Sequence, residues 1–319
     1  MTMVRCAKSS LFLLVIVLIS GCNIPDNQTI QPYMPTGSFI LTPVPPTPVP
    51  PTDSPIPVPT ATPTFTITPT VTDTPTATAT LTPVWVFQSG TITCPILLYH
   101  RIAEPPLPDS LVARYYTSPA DFEWQMQALK NWGYTAIPIS LLVDAIMKGA
   151  PLPPRPVVIS FDDGYESVYE NAYPIMQALG FKGIMYIIVD YVGSQGYMDV
   201  GQIQEMTGNG WEIGSHSMTH PHLPTVHDQI NYEAGQSKSR LASEIGVSVE
   251  TFAYPYGEID SFVVGKVAEY GYLAAVGLWN PGPQYVQSMD NLYYLTRIEV
   301  RNGTDLATFA TMLPWSGQP

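Results

Sequence analysis

Val157-Val158-Ile159-Ser160-Phe161-Asp162-Asp163-Gly164 is the stretch on which the fold turns. Its uncharged first half reads as a short apolar, strand-like run. Asp-Asp-Gly then ends it abruptly. In parallel α/β folds, reactive side chains collect at the carboxyl ends of strands, where loops vary around a rigid scaffold. Two adjacent carboxylates there repel one another unless a positive charge sits nearby, and neighbours in an extended chain point in opposite directions. A divalent metal meets both conditions, with one carboxylate as ligand and its neighbour as a base. A plain Asp-Gly turn is the alternative that the pair alone leaves open.

Comparable runs lie on either side: Pro95 to Tyr99, Tyr134 to Pro138, Gly183 to Val189, Trp211 to Gly214, Thr251 to Tyr254, Leu273 to Val276 and Tyr293 to Val300. Amphipathic segments fall between them. The clearest starts at Ser118-Pro119, an N-cap with Pro at the first helical position, carries Phe122, Met126 and Leu129, and stops at Gly133. Others are expected over 165–179, 200–208, 228–244 and 259–270. Strand-helix alternation over such a length predicts an α/β fold with a mostly parallel sheet, open or closed into a barrel.

Three more strand ends carry unusual residues: Tyr99-His100-Arg101, then Gly214-Ser215-His216-Ser217-Met218-Thr219-His220, and Tyr254-Pro255-Tyr256-Gly257. His216 and His220 are four apart, so one helical turn would aim both imidazoles at one ion; two half-buried structural histidines are the alternative. Two His and one Asp together form a facial triad that leaves positions open for water and substrate.

These residues resemble the polysaccharide deacetylase family, the NodB-homology esterases that remove acetyl groups from glycans. The resemblance covers about residues 94 to 312. Ser160 to Gly164 looks like its first motif and Ser215 to His220 like its second. Leu97 to Ile102 and Phe252 to Gly257 are similar to the branch of exported poly-N-acetylglucosamine deacetylases. The fold implied is a distorted (β/α) barrel of seven or eight strands. The resemblance further implies that Asp163, His216 and His220 hold a divalent metal, zinc by preference, that Asp162 is the general base, and that main-chain N–H groups near Tyr256 face the oxyanion. Tyr254 and Arg297 are expected at the substrate, and Trp279 as a sugar-stacking wall or as core.

Two departures from the family pattern stand out. Its third motif usually carries an Arg two residues before the Pro, orienting the base; Ala253 occupies that place. Its last motif usually ends in a His that acts as general acid, whereas the comparable segment here is Leu295-Thr296-Arg297. Of the five histidines, His100 is the expected acid, because it ends the first strand; His222 and His227 read as surface residues. The expected activity is removal of acetyl groups from an N-acetylglucosamine-containing glycan. An O-acetyl esterase, or a catalytically silent glycan-binding lipoprotein on the same fold, are the rival readings.

The rest of the chain is of another kind. Of 34 Pro in 319 residues, 16 precede residue 84 and 13 of those lie between Thr42 and Pro83, where Thr and Pro nearly alternate. Such a stretch cannot bury a core and is expected to be an extended tether over 22–90. Before it, Arg5 and Lys8 precede the apolar run Leu11 to Ile19, too short to span a bilayer, followed by Ile-Ser-Gly-Cys. Residues 1–21 therefore read as a signal peptide, and the Ile-Ser-Gly-Cys ending resembles a bacterial lipobox, which implies lipid on Cys22 and an exported protein anchored to the outer side of the cell membrane; a signal peptide that merely holds a Cys near its end is the alternative. That leaves 91–319 as the deacetylase domain, expected to be a monomer. Cys94 is then its only thiol, read as a small buried hydrophobe. With 11 basic and 23 acidic residues, the domain lacks the clustered cations that nucleic-acid binding requires.

Overall fold

The run that opens the sequence reading forms a strand over Pro156–Phe161, with all six residues buried. In the computed structural model, which describes residues 90–107, 110–278 and 283–317, it is β2 of a parallel set. The others are β1 Ile96–Tyr99, β3 Ile184–Ile187, β4 Glu212–Ser215, β5 Thr251–Ala253, β6 Ala274–Val276 and β7 Ile298–Glu299. They run in the order β6-β5-β4-β3-β2-β1-β7, with Leu97 opposite Ile159 between β1 and β2 and Tyr186 opposite Gly214 between β3 and β4. A two-residue strand, Thr135–Ala136, pairs with the start of β2 off this path.

The sheet curls until its edges meet at the last strand. Leu295 bridges to Val276 of β6, its N–H donating to the Ala275 carbonyl at 2.8 Å, and three residues later Ile298 pairs with Leu97 of β1. The same extended run therefore touches both edges and closes a distorted barrel of seven strands, as expected. The expected strand over Tyr293 to Val300 is shorter than predicted: Met289–Tyr294 is a tight helical turn, and only its second half is extended.

Helices cover the outer face. Along the strands, successive residues point to opposite faces. Leu97, Ile159, Met185 and Phe252 share a core with Phe122 and Met126 of α1 (Pro119–Asn131) and Val263 of α6 (Ser261–Glu269). Ile96, Val158, Tyr186, Ala253 and Val276 belong to a second core that includes Leu142 and Ile146 of α2 (Ile139–Lys148). Gly214 makes room for Tyr186: a Cβ there would lie 2.3 Å from the Tyr186 ring. α1 starts and stops where expected, the Ser118 hydroxyl accepting the Asp121 N–H at 3.0 Å and Gly133 adopting φ 73°.

α2 (Ile139–Lys148) was not expected; it follows Pro138 directly and ends at Gly149, φ 68°. The segment expected over 165–179 opens with a π-type turn at Val168–Ala172 before α3 (Tyr173–Leu179), α4 is Val200–Gly208 as read, and α5 (Ser237–Ile245) follows a π-type turn at Asn231–Gln236. α7 (Leu306–Thr311) ends the domain. Cys94 is fully buried, as read, and burial raises its thiol pKa. The signal segment, Cys22, the tether and Trp279 lie outside the described residues.

Candidate metal centre and catalytic cavity

The carboxyl ends of β2 and β4 bring three ligand-type side chains to one point. Asp163 Oδ1 lies 3.5 Å from His216 Nε2 and 3.6 Å from His220 Nε2, and the two imidazole nitrogens are 3.2 Å apart. All three ligand atoms fall within 4.8 Å of one another. His216 Nδ1 sits 2.8 Å from the Ala253 carbonyl oxygen. That acceptor places the ring proton on Nδ1, so Nε2 presents a lone pair to the centre. His220 is driven toward neutrality, its pKa lowered to about 4 by burial and by His216, against the opposing pull of Asp163. Two imidazole nitrogens and a carboxyl oxygen converging on one point fit a divalent cation of the zinc type.

The two histidines do not meet by the route the spacing suggested. Residues 216–220 are not helical. Instead Ser217 and His220 adopt left-handed backbone, φ 67° and 65°, as does Asp163 at φ 74°. These conformations are disfavoured for residues with a Cβ, so other groups must hold them. The Ser217 hydroxyl accepts the His220 N–H at 2.8 Å. Glu233, only 1% exposed, fixes the rest: its carboxylate accepts the Met218 N–H at 3.1 Å, the Thr219 N–H at 2.9 Å and the Thr219 hydroxyl at 2.7 Å. Sequence reasoning missed Glu233. A lone acidic residue in a polar helical stretch carries no local signal of burial.

Asp162 stands beside this centre with Oδ2 3.7 Å from His216 Nε2. Its other partner is Arg297, expected at the substrate: it lines the cavity over the centre but is 1% exposed and pairs with Asp162 fork to fork, Nη1 to Oδ1 and Nη2 to Oδ2 both at 2.7 Å, while Nε donates to the Gly277 carbonyl at 2.8 Å. Ala253 on β5 offers Asp162 no side-chain partner, and the arginine that pairs with Asp162 comes from the residue just before β7. Burial pushes the Asp162 carboxyl up, but the Arg297 and His216 charges and the Arg297 hydrogen bonds outweigh it and hold the pKa well below the usual carboxylate range.

A cavity of about 350 Å³ opens over the centre. His100 lines it, its ring 4.9 Å from Tyr115; burial lowers its pKa against the pull of Asp163 and Asp162, so the resting imidazole is neutral. Tyr256 forms part of the rim at 49% exposure, in left-handed backbone (φ 60°) between Pro255 and Gly257, its ring 4.5 Å from His220 and stacked at 4.1 Å on His222. Tyr254, also expected at the substrate, borders the cavity but is wholly buried, in the core with Phe252; burial raises its pKa, and its hydroxyl finds no hydrogen-bond partner among the described residues. His222 and His227 are exposed and pair with Glu258 and Asp260, as their surface reading required.

A parallel barrel with three converging Asp/His/His side chains, a buried second Asp and an open cavity is an arrangement in which hydrolysis can be carried out. Residues 149–275 match the family model described as polysaccharide deacetylase. A poly-beta-1,6-N-acetyl-D-glucosamine N-deacetylase of Staphylococcus aureus (strain MRSA252) is 26% identical over 226 residues, covering 63% of this chain and 77% of that protein. Among solved structures, a polysaccharide deacetylase from Bacillus cereus shares 29% identity at TM-score 0.62, covering 70% of this chain and 69% of that one. The Streptococcus pyogenes deacetylase PplD, solved in complex with acetate, shares 25% identity at TM-score 0.63, covering 73% of this chain and 99% of that one.

Proposed function

We propose that the protein is an exported, metal-dependent deacetylase that hydrolyses the acetamide of an N-acetylglucosamine-containing glycan. The observation that carries this is the Asp162–Arg297 fork beside three converging ligand atoms. A glycan-binding protein without turnover would have no use for a buried carboxylate held ionised next to a metal site, because keeping it so requires a buried, fully engaged arginine. The relatives' names support the acetylated-hexosamine substrate.

When bound by Asp163, His216 and His220, a divalent metal supplies Lewis acidity, acidifying a water and polarising a carbonyl. Asp162 takes the proton of the attacking water as its oxygen bonds to the acetyl carbon; Arg297 keeps that carboxylate ionised and aimed. The Tyr256 main-chain N–H, presented by the Pro255–Gly257 turn, faces the oxygen that gains charge. As the C–N bond breaks, the amine needs a proton, and His100 on the cavity wall is placed to relay it. Acetate and a free amine result. The protein works as a monomer outside the cell, held by lipid on Cys22 at the end of the 22–90 tether.

Acetate release from chitooligosaccharides, poly-N-acetylglucosamine and peptidoglycan by zinc-loaded protein tests the reading, with Asp162→Asn as the control and acetyl-ester substrates run in parallel. No release from any glycan refutes it; faster release from esters moves the activity to O-acetyl groups.

A further inference from the structure

We propose that Tyr294 is a positioning residue for the deacetylation: its hydroxyl anchors the Pro255–Gly257 turn and so keeps the Tyr256 N–H aimed at the oxygen that gains charge. This rests on the deacetylase reading above. The turn has to be held. Tyr256 and Gly257 both adopt left-handed backbone, φ 60° and 69°; for Tyr256 that conformation is disfavoured and persists only where the surroundings impose it. The Gly257 N–H donates to the Tyr254 carbonyl at 2.9 Å and the Glu258 N–H to the Pro255 carbonyl at 3.2 Å. Both bonds are local and tie the turn only to its own flanks.

Tyr294 supplies a tie from across the chain. Its hydroxyl donates to the Gly257 carbonyl at 2.7 Å, from 37 residues away. The Leu278 N–H reaches the same hydroxyl oxygen at 3.5 Å, which leaves the hydroxyl proton for the carbonyl. The ring has a slot of its own: a Cβ on Gly277 would lie 2.3 Å from it, and a Cβ on Gly257 would come within 2.5 Å of the Leu278 Cβ, so the turn rests directly on the residues just past β6. Gly277 also takes Arg297 Nε on its carbonyl at 2.8 Å and gives its N–H to the Leu295 carbonyl at 2.9 Å. The run 294–297 thus reaches both halves of the chemistry: Arg297 orients Asp162, and Tyr294 holds the turn that carries Tyr256. Tyr256, Gly257 and Leu278 line the catalytic cavity, whereas Tyr294 is not among its described walls and acts on the reaction only through the turn. A donor held in place serves a charge that develops only in the transition state, so loosening it costs rate rather than substrate binding.

The test compares zinc-loaded wild type with Tyr294→Phe, which keeps the ring in the Gly277 slot and removes only the hydroxyl. Tyr293→Phe is the control, because the Tyr293 hydroxyl donates to the Tyr272 carbonyl at 3.0 Å, an equivalent bond made away from the turn. In acetate release from chitooligosaccharides, Tyr294→Phe should show kcat lowered about 10–100-fold, with KM within about twofold of wild type and zinc affinity, by chelator competition, unchanged. Tyr293→Phe should keep the wild-type kcat while melting at a similar temperature to Tyr294→Phe. Wild-type kcat in Tyr294→Phe, an equal loss in Tyr293→Phe, a loss that appears in KM instead, or a Tyr294→Phe protein that melts far below its control overturns the positioning role and leaves the deacetylase standing. No acetate released by wild type from any glycan removes the deacetylase reading and the positioning role with it.

Discussion

Replacing Arg297 by Met removes the guanidinium and keeps much of its hydrophobic stem. The structure sets the size of the effect. Asp162 and Arg297 are both buried, with paired contacts of 2.7 Å; stripping one partner from such a pair leaves an uncompensated buried charge, at about 3–5 kcal/mol. For a domain of this length each kcal/mol lowers Tm by about 2–4 °C, so the metal-free variant should melt on the order of 6–20 °C lower. The pH dependence has a definite sign. The native Asp162 pKa lies below its unfolded value of about 3.9, so its contribution to stability is full above that value and is lost as pH falls through the native pKa. The variant's deficit is therefore largest near neutrality and shrinks in acid. Without Arg297 the base also protonates at higher pH, which moves the acidic limb of the kcat/KM profile upward. Calorimetry of chelated protein and pH profiles of acetate release read both. An Arg297→Met enzyme with wild-type Tm and an unmoved acidic limb would refute the role given to this arginine.

Glu233→Ala should weaken zinc affinity by about 10–100-fold, since it frees the Met218–Thr219 backbone that sets His220. Glu233→Gln, which keeps an acceptor, should recover most of the loss, as read by competition with a chromophoric chelator and by the visible spectrum of the cobalt-loaded protein. Metal-free protein should lose stability as pH falls from about 6.5 toward about 4, because the unfolded chain protonates His220 while the fold resists it; denaturant titrations across that range should show a shallower slope for His220→Asn. His100→Ala should lower kcat by about 10²–10⁴-fold and flatten the basic limb of its pH profile; near wild-type kcat with an unchanged profile would assign the amine's proton to another group.

The site was readable where chemistry sits in short stretches. Asp162-Asp163-Gly164 and His216 to His220 each announce themselves locally; the strand-helix rhythm predicted a mostly parallel sheet, open or closed, and the family resemblance implied the barrel that sets them side by side. What the sequence hid depends on contacts across the chain. The absence of an arginine at Ala253 was visible, but its replacement lies 135 residues from Asp162 and becomes apparent only when β7 docks. The four-residue spacing of the histidines suggested a helix, whereas left-handed backbone at Ser217 and His220 does the work, held by a glutamate further along. α2 escaped notice because Ile137-Pro138-Ile139 reads as a continuing strand; the Pro in fact marks the helix start. Tyr254 was read from its place at a strand end, yet its side chain turns into the core.

The arginine's origin also bears on when the protein becomes an enzyme. A chain made from its N-terminus presents Asp162, Asp163, His216 and His220 well before residue 297 arrives, and the family match itself ends at residue 275. The strand that closes the barrel is the one that brings the partner of the base. Until it docks, an exposed Asp162 titrates as an ordinary carboxylate and the sheet has an open edge. A C-terminally clipped molecule that kept Asp163, His216 and His220 would still lack the arginine that pairs with Asp162.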